Sequence, residues 1–112
     1  MFKSSLFALC FFSLTCWTCC AQEKPYSIVI SETTASDPEW SKVVTALQAK
    51  YPHAKTILWK QQVSETLDIL STEHPRYTCF VAAANEVSRA FVSDVHRLTR
   101  QIDGDPYCDT LW

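Results

Sequence analysis

Glycine is almost absent: beyond a short apolar leader, Gly104 is the single glycine in a chain of 112 residues. A phosphate-cradling loop needs glycines between a strand and a helix so that backbone N–H groups can approach the anion. The turns here are SETTASD and AAANE, and Gly104 follows a helical stretch instead of opening one, which argues against Rossmann-type and Walker-type nucleotide binding. Beyond the apolar leader, a CxxC pair, a His/Cys cluster and a GxSxG elbow are also missing. Thiol redox chemistry, structural zinc and serine hydrolysis therefore lose their usual carriers, and no catalytic, cofactor-binding or metal-ligating residue is assigned. Positive charge is scarce too. The formal net charge is −2, so neither nucleic acid nor an anionic membrane is favoured as a partner.

Long apolar runs are lacking. The longest, Leu6 to Trp17 (LFALCFFSLTCW), follows Lys3 and is too short for a membrane span of about 20 residues, but fits the h-region of a signal peptide. Cys19 and Ala21 satisfy a small-x-small rule before Gln22. The expected organisation is residues 1–21 as a signal peptide and 22–112 as a partial α/β domain, exported to the periplasm or secreted, with no stable membrane insertion after cleavage. Cys10, Cys16, Cys19 and Cys20 leave with the leader. A lipid anchor on Cys16 or Cys19 is the less favoured alternative, because the residues preceding them match a lipidation signal poorly. Cleavage removes one lysine, leaving nine Lys+Arg against twelve Asp+Glu.

The remainder alternates apolar runs of two periods. Tyr26–Ser31 (YSIVIS) reads as a strand covered on both faces. Asp37 can cap a helix with Pro38 at its first position, or Ser36 can form a capping box with Glu39; Trp40, Val43, Val44, Leu47 and Tyr51 then share one helical face up to Pro52. Residues 56–59 (TILW) form a second strand, and Val63, Leu67 and Leu70 a short helical stripe closed before Pro75. Residues 77–82 (YTCFVA) form a third strand. Asn85 is expected to cap a long helix carrying Val87, Phe91, Val95, Leu98 and Ile102 and ending at Gly104. This order predicts a three-layer αβα fold with a short parallel sheet, βαβαβα, apparently incomplete at the C-terminus, with DPYCDTLW turning into a fourth strand.

Ligand crevices of parallel sheets lie beyond the C-terminal strand ends, which places Glu32 and Thr33 beside Asn85 and Glu86 as the possible crevice, although capping and turn roles explain the same residues. His53, His74 and His96 are scattered and lack the spacing of a zinc pair. Asp103, Asp105 and Asp109 lack the closing Glu of a calcium loop. Arg97 and Arg100 suit the negative end of a helix dipole, with Asp103 as an i+3 partner of Arg100. Cys79 and Cys108 are a possible disulfide in an oxidising compartment, against a default of two separate thiols.

The stretch PRYTCFVAAANEVSRAFVSDVHRLTRQIDGDPYCDTLW, Pro75 to Trp112, together with SDPEWSKVVTALQAKYP, resembles the N-terminal region of exported bacterial proteins related to gingipain-like cysteine peptidases of the caspase-like fold. The resemblance implies that the catalytic His and Cys lie further along than this chain reaches, so no catalytic residue is carried over. Arg76, Tyr77, Arg97, Asp105, Pro106 and Trp112 fit the family pattern in structural roles, whereas AAANEVS departs from the turn the family has at the crevice. The preferred expectation is a truncated N-terminal α/β segment of such a protein, without activity of its own. Its partner would be the missing downstream chain, or a second copy bound through the sheet edge. The alternative is a small secreted interaction module that pairs its open sheet edge with a partner chain.

Overall fold

A computed structural model describes residues 25–112. The expected leader, its cleavage point and its four cysteines lie outside the described residues. Three strands, β1 (Tyr26–Ser31), β2 (Lys55–Trp59) and β3 (Tyr77–Val81), form a parallel sheet in the order β2-β1-β3. The layering follows from handedness. A right-handed crossover from β1 to β2 carries its helix over one face, and the next crossover, moving back past β1 to β3, must carry its helix over the other. The α/β architecture expected from the alternation is therefore present.

Central β1 has both faces covered, as its β-branched run requires. Ile28 and Ile30 are fully buried on one face with Val81, against Trp40, Val44 and Leu47 of α2 (Pro38–Lys50). Val29 points the opposite way, into the larger cluster of Ile57, Trp59, Val63, Leu70, Val95, Leu98 and Ile102. Full burial of side chains such as Ile28, Ile57 and Leu70 stabilises by about 1.5–3 kcal/mol each. No residue of α2 is fully buried, so this helix is a half-covered lid on a thin layer.

Asp37 caps α2 as expected, its Oδ1 accepting the Glu39 N–H at 2.8 Å, with Pro38 in the first turn. One element was not anticipated. The single turn α1 (Glu32–Ala35) starts directly at the end of β1, because Ser31 Oγ accepts the Thr34 N–H at 3.0 Å and makes its own cap. The second crossover is also divided, into a 3-10 turn at Val63–Thr66 and α3 (Leu67–Glu73). His74 stops α3 in the left-handed region at φ 43°, and Pro75 prevents resumption.

The last helix differs most from expectation. α4 spans Arg89–Leu98, and its cap is Ser88, whose Oγ accepts the Phe91 N–H at 3.1 Å, not Asn85. Residues 83–87 form a turn held by Glu86, so Val87 lies outside the helix and is 52% exposed. The helix ends before Gly104, because Thr99 closes it and the chain folds under to bury Ile102. The tail then returns to the start of β3. Leu111 makes a parallel bridge with Tyr77: its N–H donates to Arg76 O at 2.9 Å, and Thr78 N–H donates to Leu111 O at 2.9 Å. A buried Thr78–Thr110 hydroxyl contact of 2.8 Å fixes this register.

Candidate functional site

The switch point of a sheet ordered β2-β1-β3 lies between the C-terminal ends of β1 and β3, where chain connections diverge to opposite faces. Glu86 occupies it. Its Oε1 accepts the Ser31 hydroxyl at 2.5 Å, while Oε2 accepts the Thr34 hydroxyl at 2.8 Å and the Ala83 N–H at 3.2 Å. Ser31 and Thr34 are buried. A carboxylate with three donors, two of them on buried side chains, is a closed structural knot that ties the end of β1 to the turn after β3.

The four expected crevice residues separate into two roles. Glu86 is in the knot, whereas Glu32, Thr33 and Asn85 are exposed around it. Glu32 pairs with Lys60 across the β1 and β2 ends at 3.6 Å. Of the partners that give Glu86 its position, the sequence reads Ser31 as the end of a strand and places Thr34 in the SETTASD turn after it. Serine next to a strand end can satisfy a helix cap and a distant carboxylate at once, and only the fold brings Glu86 within reach.

At the opposite end of the sheet Tyr26 stacks on Tyr51 with ring centroids 4.0 Å apart, and Tyr77 lies at 6.4 Å. Burial, reinforced by Cys79 and Tyr51, pushes the Tyr26 phenol up to about 12. Cys79 packs in the α2-side cluster, while exposed Cys108 places its Sγ 2.9 Å from Thr110 O. Cys79 and Cys108 are both free thiols in this structure.

The acidic tail has a local explanation. Asp103 Oδ1 accepts the Asp105 N–H and Asp105 Oδ1 the Tyr107 N–H, both at 2.8 Å, and Asp109 Oδ2 accepts the Asp103 N–H at 3.2 Å. These are side-chain-capped turns. Burial, aided by the neighbouring carboxylates of Asp103 and Asp105, raises the Asp109 pKa. The expected Arg100–Asp103 pair is not formed among the described residues; the ion pair on this helix is Arg97–Asp94 at 3.2 Å.

A larger concavity than the closed strand ends offer lies along the free side of β3. A groove of about 580 Å³ runs between this strand and α4, with Phe80, Ala82, Val87, Phe91, Val92 and Trp112 among its walls. Trp112 stands edge-on to Phe80 at 6.2 Å and to His96 at 6.5 Å. Four side chains more than two-fifths exposed line it: Val87, Val92, Leu111 and Trp112. Parallel pairing alternates the direction of backbone groups, so Thr78 O, Phe80 N–H and C=O, and Ala82 N–H face the same side as the Leu111 bridge and find no backbone partner among the described residues. Open polar backbone beside an apolar groove is the surface to which another strand adds.

No family model, curated protein or solved structure matches this chain. The gingipain-like resemblance thus rests on the quoted residues alone, and the site has to be interpreted from its own geometry.

Proposed function

We propose that this chain is a non-catalytic α/β strand acceptor, whose working surface is the free side of β3. The observation that carries this reading is the coincidence of backbone at Phe80 and Ala82 that is unpaired among the described residues with the apolar groove under Phe91, Val92 and Trp112. A strand placed there would satisfy the open groups and cover the exposed side chains in one step. Export by the leader would put this acceptor in the periplasm or outside the cell.

A second reading uses the same edge. In it the chain is the N-terminal segment of a larger gingipain-like exported protein, and the added strand is joined to it covalently. The direction of the Leu111 bridge favours this, because residues connected beyond Trp112 in that register would run beside Phe80 to Ala82.

Hydrogen exchange tests the shared surface. The Phe80 amide is expected to exchange at least about tenfold faster than the central Val29 amide in the purified chain, and to become protected in material isolated from the native host. Equal protection of Phe80 in both preparations would refute strand acceptance. The intact mass of the host material then separates the readings: a separate partner leaves a species no heavier than this chain, whereas covalent continuation raises it several-fold above 12.8 kDa.

A further inference from the structure

The groove beside β3 has a charged neighbour. Arg89, Ser93, His96, Arg97 and Arg100 recur at helical spacing on α4 and the turn after it, and with Val92 they border a second groove of about 520 Å³. Three of the four arginines in the chain are in this stripe, on a protein whose net charge is negative. Only Arg97 has a carboxylate partner, Asp94; Arg89 and Arg100 form no ion pair among the described residues. The two grooves are neighbours: Val92 lines both, and the ring of His96 in the basic groove stands edge-on to Trp112 of the apolar one at 6.5 Å.

We propose that the strand taken up at β3 is an acidic, extended segment of another polypeptide, with apolar residues that fill the groove and carboxylates that pair with Arg89, Arg97 and Arg100. This rests on the strand-acceptor reading above and adds the chemistry of the partner. Helix α4 follows the turn after β3 and the tail beyond it returns to the start of β3, where Thr110 meets Thr78, so the arginine stripe lies on the helix that walls the groove through Phe91 and Val92. An extended partner would thus meet positive charge from the α4 side of the groove, while Asp103, Asp105 and Asp109 stay within the tail's own turns. Guanidinium groups favour carboxylates through bidentate hydrogen bonds, and charge set around an apolar anchor selects among partners more than it adds affinity.

The same stripe disfavours a second copy as occupant. Two β3 edges joined around a two-fold axis normal to the sheet would place both α4 helices on the same face, next to each other. Their arginines would then meet across the axis as like charges.

The test uses the purified full chain and two blocked heptapeptides, Val-Glu-Val-Glu-Val-Glu-Val and its lysine counterpart, with binding read from amide shifts of Phe80, Ala82 and Val92. The glutamate peptide is expected to bind at least about tenfold more tightly than the lysine peptide, with a preference that falls as salt rises. The double variant R89E/R100E, whose substitutions are at exposed positions and leave the core intact, should reverse the preference. Equal binding of both peptides would overturn the acidic-partner inference while leaving strand acceptance standing. Binding of neither peptide would overturn both. Concentration-dependent dimerisation abolished by Val92→Glu would overturn the inference in favour of a second copy.

Discussion

Removing the Glu86 carboxylate is expected to loosen the top of the sheet far more than its partly exposed position suggests. Glu86→Ala leaves the Ser31 and Thr34 hydroxyls, 2% and 3% exposed, without their acceptor and frees the Ala83 N–H. Each buried polar group left unsatisfied costs about 1–3 kcal/mol. Ser31 Oγ retains the Thr34 N–H, and water can reach the turn at Ala83, so the loss should lie near the bottom of the summed range, at about 2–3 kcal/mol. For a domain of this size that lowers Tm by about 10–20 °C. Glu86→Gln retains one carbonyl acceptor and should lose about half as much. Urea titration of the three proteins, followed by circular dichroism, measures the differences directly. A Glu86→Ala variant within about 0.5 kcal/mol of the parent would refute the knot, since that is the range of ordinary surface substitutions.

Three further outcomes are expected. Ser88→Ala should cost about 1 kcal/mol by uncapping α4, whereas Asn85→Ala should stay within about 0.5 kcal/mol; the reverse order in thermal melts would restore Asn85 as the cap. Tyr26 should ionise near pH 12, above its ordinary 10.0, so its contribution to stability is complete below about pH 10 and is lost as pH rises through 12, which phenolate absorbance with and without Tyr26→Phe reports. Alkylation mapped by peptide mass spectrometry should modify exposed Cys108 well before Cys79, and equal rates would contradict the packing of Cys79 against the cluster of Ile28, Ile30 and Val81.

The alternation of strand and helix periods, the cap at Asp37 and the stop at Pro75 were legible because each depends on a few adjacent residues. The arginine stripe was legible in principle as well, since its spacing is helical, but net charge hides a local surplus on one face. The position of the last cap was not. Asn85 and Ser88 are both good cap residues three positions apart, and the choice between them is made by Glu86, which turns back to Ser31 and Thr34 and thereby holds residues 83–87 out of the helix.

Sequence alone determined the three strands and the covering helices, since burial of β1 on both faces is written in its run of Ile28, Val29 and Ile30. Tertiary structure decided where the working surface lies. The crevice residues were expected at the strand ends, but there the carboxylate closes on its own chain. Phe80, Val92 and Trp112 are far apart in sequence and meet only because α4 folds back along β3 and the tail returns beside it. Local patterns specify local elements, whereas an exposed edge and its flanking charge are properties of how those elements are ordered in space.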